Sequence, residues 1–150
     1  SQFTKTILGE PALLAEATDK INDKQIERIM ELVAENNINN NIGIIGLSYK
    51  PNTSVVEESV SIKLINELIT IGYNIFVYDQ LANDNIKRLC GDKLKYVKNM
   101  EEIMINCPLC VLTHPLKTLP IIENNFVRII DCWRSLNQVK NVEIIPYMVR

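Results

Sequence analysis

Apolar positions along the chain change period several times, and each change marks a predicted element. From about Pro11 to Glu35 they recur at helical spacing. Leu14, Ala17 and Ile21 share one face, as do Ile26, Ile29, Met30 and Val33, and Pro11 suits a first helical turn, where its missing N–H costs nothing. About 25 helical residues make a rod of about 37 Å, a length suited to bridging domains or packing on a second subunit. Beyond an Asn-rich turn, Asn41 to Leu47 form a short apolar run, as expected of a strand buried on both faces. Ser59 to Ile71 then read as a helix, with Ser61, Leu64, Ile65 and Leu68 on one face, Ser59 as N-cap and Gly72 just past the end. Asn74–Asp79 is the next strand. A weaker helix around Asn83–Leu89, a strand near Leu94–Val97, a helix at Met100–Ile105 and a strand at Leu109–Thr113 follow. Leu119–Glu123 is expected as a helical turn, Val127–Asp131 as a strand and Val142–Ile145 as a last strand.

About five alternations of strand and helix predict an α/β fold. The expected form is a doubly wound, mainly parallel Rossmann-like sheet with helices on both faces, preceded by the long helix. No internal repeat is visible. The one candidate boundary divides a leading segment and helix, residues 1–38, from a sheet domain, residues 39–150.

Composition narrows the function classes. Of 150 residues, 47% are hydrophobic and 23% charged, an ordinary globular balance. The net charge is −2 and the Lys and Arg residues are scattered, which argues against a nucleic-acid partner. No apolar run is long enough to span a bilayer, and the first residues lack the order of a signal peptide. The first residue is not Met, so a processed chain or an excised fragment is expected. Three of the four cysteines (Cys90, Cys107, Cys110, Cys132) fall in or beside apolar runs, which fits reduced thiols and a cytoplasmic setting. Cys107 and Cys110 form a C-x-x-C, but they lead into an apolar strand and not into a helix N-terminus, so packing is preferred over redox chemistry. His114 is the single histidine, and without a second C-x-x-C no zinc site is expected; it is read as a surface-loop residue, with a ligand contact at its strand's carboxyl end as the alternative. The Asn-rich run near residue 36 is read as a loop without further role.

In doubly wound sheets, ligands sit outside the carboxyl ends of the strands, near the point where strand order reverses. The segment Ser48 to Glu58 follows the first strand and is about eleven residues long, where two to six are usual. It is a site candidate, with surface decoration as the competing reading. A dinucleotide cradle needs G-x-G-x-x-G, whereas this segment offers Gly43 and Gly46, and the next glycine is Gly72. Asp79 falls where a ribose-binding acid would lie, but without the glycines it is read as a strand-end polar residue.

The residues Gly43-Ile44-Ile45-Gly46-Leu47-Ser48-Tyr49-Lys50-Pro51-Asn52-Thr53, then Glu58-Ser59 and Val77-Tyr78-Asp79, carry a resemblance. They are similar to the C-terminal domain of the UDP-glucose/GDP-mannose dehydrogenase family, which reads roughly G-L-x-F/Y-K-x-x-T-x-D-x-R-x-S and later V-x-V/I-Y-D-P. Asn22 resembles the Asn of the family's long central helix, and Ile129 to Arg134 its closing strand and D-x-R segment. Coverage runs from about Pro11 to Arg150.

The resemblance implies an enzyme that oxidises the C6 alcohol of a UDP-sugar to a carboxylate with NAD. An N-terminal domain outside this chain would bind the NAD, this domain would bind the nucleotide end of the substrate, and the leading helix would form a homodimer. It implies that Tyr49 packs on the substrate, that Lys50 pairs with it as a compact charge suited to phosphate, and that Arg134, or Trp133 one position earlier, contacts it. Trp133 is otherwise expected to pack at a sheet edge, or to offer a stacking surface. The family Arg that reaches NAD is Glu57 here, a reversed charge. The Asp pair reads Ser54-Val55, and the T-E-W after the fourth strand reads Thr113-His114-Pro115. No cysteine has the family's catalytic setting, a Gly before it and Lys-Asp after it, so no catalytic residue is expected in this chain and it should be inactive alone. A non-catalytic assembly module with a decayed site, or a nucleotide-binding domain of another α/β family, are the alternatives.

Overall fold

The computed structural model describes residues 10–46, 60–79 and 83–147, and side chains at 23–46, 61–79 and 84–147. The elements in chain order are α1 (Glu10–Asn36), β1 (Asn41–Ile45), α2 (Val60–Ile71), β2 (Asn74–Tyr78), α3 (Asn83–Cys90), a 3-10 turn at Gly91–Lys93, β3 (Lys95–Tyr96), α4 (Met100–Asn106), β4 (Leu109–Leu112), β5 (Val127–Asp131) and β6 (Val142–Pro146). Most lie within one or two residues of the sequence expectation.

The strands form one six-stranded sheet in the order β3-β2-β1-β4-β5-β6, and every pairing is parallel. The chain moves outward from β1 through β2 to β3, crosses back over β1 to β4, and continues outward to β6. The order therefore reverses between β1 and β4, and the carboxyl ends of those two strands flank the switch point.

Alternate side chains of each strand enter opposite faces, and both faces are apolar. On one, Ile42, Ile44, Ile75, Val77, Leu109 and Val111 meet Ile26, Ile29, Leu32 and Val33 of α1, Leu64, Ile65 and Leu68 of α2, and Ile86 of α3. On the other, Ile45, Phe76, Cys110, Leu112 and Ile129 meet Ile103 and Met104 of α4, with Leu119, Ile122 and Val139 from the segments around β5. Each fully buried Ile or Leu contributes about 1.5–3 kcal/mol, so the helix faces read from the sequence also fix the layers. α4 comes close to β1 because Gly43 has no side chain: a Cβ there would lie 2.8 Å from both Cys110 Sγ and Ile103 Cγ1.

One expected element is absent. Leu119–Glu123 is not helical. Pro120 has no N–H to donate and pushes Leu119 out of the helical region, while the β-branched Ile121 and Ile122 do little to resist. Leu119 and Ile122 still bury their side chains in the second core layer, from an irregular backbone.

The Asn residues have more purpose than the sequence reading gave them. Asn40, Asn124 and Asn141 adopt φ of +65°, +60° and +64°, a left-handed conformation that Asn tolerates better than most residues. Others cross-link the amino end of the sheet. Asn74 Nδ2 donates to Asn41 Oδ1 (3.2 Å) and Asn41 Nδ2 to the Asn106 carbonyl (3.3 Å). Among the described residues, no helix is long and apolar enough to cross a membrane.

Candidate functional site

At the carboxyl end of the sheet the ladder runs one residue past the strands: Gly46 N donates to the Tyr78 carbonyl (3.0 Å), Thr113 N to Ile45 (2.9 Å) and Cys132 N to Leu112 (3.2 Å). Side chains then tie these ends together. Ser61, in the first turn of α2 and 2% exposed, places its Oγ 2.6 Å from the Gly46 carbonyl and 2.8 Å from Thr113 Oγ1. Thr113 Oγ1 is also 3.0 Å from the Ile45 carbonyl and bonds to that of Gly46. With one proton on each hydroxyl, both donate inward and the Gly46 carbonyl is satisfied away from water.

His114 lies across the end of β1. Its Nδ1 is 3.6 Å from Asp79 Oδ2 at the end of β2, with the side chains only 16% and 9% exposed. This corrects the reading of His114 as a surface-loop residue. Asp79 does sit at a strand end, but buried and faced by an imidazole. A Cβ on Gly46 would lie 2.8 Å from His114 Cγ and from Thr113 Oγ1. Gly43 in β1 and Gly46 just past it are thus both consumed by packing, Gly43 against α4 and Gly46 under His114. Neither leaves backbone N–H groups open for a pyrophosphate. The described residues do not fit a dinucleotide such as NAD at this position.

The turn after β5 is built by Asp131, 1% exposed. Its Oδ1 accepts from Trp133 N (3.1 Å) and its Oδ2 from Leu136 N (2.9 Å), an Asx-type turn. Within it Arg134 takes φ +52°, unusual for a side chain of its size. Arg134 Nε donates to the Tyr147 carbonyl (3.1 Å), and Trp133 Nε1 donates to the Thr113 carbonyl (2.6 Å). Trp133 remains 54% exposed and β5 is an interior strand, so edge packing is not its role. Trp133 and Arg134 share one turn at the carboxyl end and reach opposite neighbours of β5, Trp133 the end of β4 at Thr113 and Arg134 the end of β6 at Tyr147.

Tyr49, Lys50, Glu57 and the Ser54-Val55 pair lie outside the described residues, as does the N-cap expected at Ser59. All four cysteines are free. Burial pushes the Cys107 thiol up to about 12 and raises Cys110 well above its ordinary value, the reverse of what a redox thiol needs. Burial also lifts Cys132 to about 12, with the neighbouring Asp131 charge adding to the rise. Among the described residues, no three His, Cys, Asp or Glu side chains gather as for a metal ion.

Sequence reasoning missed Ser61, Thr113 and Asp131 as organisers of this end. For Asp131 a signal was present: an Asp closing an apolar strand two residues before a Trp amide is the pattern of an Asx turn. For Ser61 and Thr113 there was none, because their meeting depends on the β1–β4 pairing.

Residues 43–138 match the UDP-glucose/GDP-mannose dehydrogenase family, UDP binding domain. The chain belongs to this family. It is similar to a UDP-glucose 6-dehydrogenase, AglM, of Haloferax volcanii, 27% identical over 119 residues that cover 78% of this chain and 27% of that protein. A second relative, the UDP-glucose 6-dehydrogenase TuaD of Bacillus subtilis, is 26% identical over 107 residues, 69% of this chain and 23% of that one. The chain thus spans about a quarter of the length of these curated relatives. The fold resembles that of a UDP-glucose dehydrogenase from the archaeon Pyrobaculum islandicum, with a TM-score of 0.76 at 19% identity, over 95% of this chain and 33% of that one. For a member of the family, the carboxyl end of the sheet is where a nucleotide-binding role has to be sought.

Proposed function

We propose that this chain binds the nucleotide end of a UDP-sugar as part of a cytoplasmic, NAD-dependent nucleotide-sugar dehydrogenase that oxidises the sugar C6 alcohol to a carboxylate. In this reading residues 39–150 form the binding domain, and residues 1–38 contribute the helix of a homodimer. NAD and the catalytic cysteine belong to a domain outside these 150 residues, so the chain alone has no dehydrogenase activity.

The observation that carries the reading is the Asp131 turn, which presents an exposed indole and a guanidinium from adjacent residues at the carboxyl end of β5. Arg134 uses Nε on the Tyr147 carbonyl, and its terminal nitrogens have no partner among the described residues, so they are free to take a diphosphate as a fork. Trp133, fixed through its ring N–H, offers a flat face to the base or sugar. Tyr49 and Lys50, in the segment that leaves β1, complete the proposed contacts with an aromatic ring and a second cation. Glu57 would stand where an NAD contact is expected, with the wrong charge for it.

Titration of the chain with UDP tests this, by calorimetry and by the fluorescence of Trp133, the single tryptophan. The expected result is saturable binding in the millimolar range or tighter, at least about tenfold weaker in Lys50→Ala and in Arg134→Ala, the loss of one charge-assisted contact. No response to UDP, or full affinity in both variants, refutes the site.

A further inference from the structure

We infer that Asp131 is a positioning residue for the ligand, acting through Trp133 and Arg134 without touching the ligand itself. The inference rests on the nucleotide-binding reading above. A buried carboxylate is expensive unless both oxygens are satisfied, and Asp131 satisfies them with two amides of one turn, Trp133 N and Leu136 N. Those two bonds force the chain to reverse within a few residues, and the reversal is what places Arg134 at φ +52°.

A left-handed arginine is strained, and strain of this kind persists where the surroundings over-determine it. Here three anchors hold the turn around it: the Asp131 carboxylate takes the amides of Trp133 and Leu136 on either side, the Thr113 carbonyl takes the indole N–H, and the Tyr147 carbonyl takes Arg134 Nε. A glycine or asparagine at 134 would meet the same backbone demand with less strain. The turn therefore keeps an arginine where backbone preference alone would not select one, with Trp133 beside it held more than half exposed. Releasing Asp131 lets the turn relax and loosens the indole from the Thr113 carbonyl and the guanidinium from that of Tyr147.

The test compares Asp131→Asn, which keeps one acceptor oxygen, and Asp131→Ala, which keeps none, with the wild-type chain. Gly43→Ala serves as a control that destabilises the distant α4–β1 contact. UDP is the probe, and the readouts are its Kd and the fluorescence anisotropy of Trp133. The expected order is wild type, then Asn at about fivefold weaker binding, then Ala at more than about tenfold, the effect of one and two lost hydrogen bonds. Anisotropy falls in the same order, and Gly43→Ala leaves both readouts unchanged at a temperature where it is folded. If Asp131→Ala does not fold, Asp131→Asn decides. Wild-type affinity and anisotropy in Asp131→Asn overturn this inference alone, as does an equal loss of affinity in Gly43→Ala. A wild-type chain that ignores UDP overturns the binding reading and this inference together.

Discussion

The two ends of the sheet are held by different means. At the amino end, Asn37, Asn39 and Asn40 close short turns through their own neighbours, with Asn37 Oδ1 accepting from Asn40 N at 2.9 Å and Asn39 Oδ1 from Asn41 N at 3.1 Å, while Asn41 and Asn74 add exposed links between element ends. At the carboxyl end, Ser61, Thr113, Asp79, His114 and Trp133 join α2, β1, β2, β4 and the turn after β5 across long sequence separations, while Asp131 fixes that turn locally. Local closures contribute independently and sit in water. A buried network shares partners, so the loss of one member leaves others unsatisfied. The end offered to a ligand is the one whose geometry is over-determined.

Two glycines give the sharpest way to break this contrast. Gly46 and Gly72 have nearly the same backbone, φ +104° and +113°, but a Cβ at Gly46 meets His114 and Thr113 at 2.8 Å, whereas at Gly72 nothing lies within 4 Å. Gly46→Ala is expected to cost about 3 kcal/mol, from left-handed strain plus overpacking. Gly72→Ala should cost about 1 kcal/mol, from strain alone. Urea unfolding of the two variants measures the difference, and equal costs would show that crowding at the carboxyl end is unimportant.

A smaller effect is expected for Ser61→Ala. It removes a buried hydroxyl from the Gly46 carbonyl but leaves Thr113 in place, so the loss is about 1–1.5 kcal/mol, read from the same unfolding curves. A Ser61→Ala protein as stable as wild type would mean that the network is not shared. Smallest is the amino end. Asn40→Ala should lose under about 1 kcal/mol and Asn40→Gly close to nothing, because glycine supplies the left-handed turn without the side chain. A thermal melt separates them, and a larger loss in Asn40→Gly than in Asn40→Ala would contradict a conformational origin.

Local chemistry was legible in the sequence, and long-range pairing was not. The face Ser61, Leu64, Ile65 and Leu68 is buried as its spacing predicts. Gly72 ends α2, with its own N–H and that of Tyr73 both returning to the Leu68 carbonyl. β5 matches residue for residue. Leu119 and Ile122 carry a helical spacing that Pro120 overrules, a local rule given too little weight. The pairing of Asp79 with His114 joins the ends of β2 and β4, and no periodicity announces it. Trp133 shows the same limit: exposure at a strand end depends on which elements cover that end, and between β4 and β5 no helix does.

The position of β1 has a consequence for how the chain acquires its structure. Its neighbours are β2 and β4, and the second pairing joins Ile42 to Leu109, residues far apart along the polymer. As synthesis proceeds from the amino terminus, the isoleucines of β1 emerge well before the strand that will cover one flank of them. Until Leu109–Leu112 arrives, that flank is an open, apolar template able to pair with any extended chain nearby. Slow formation of this distant parallel contact should set the folding rate, and nascent chains halted before β4 should be the most adhesive form of the protein.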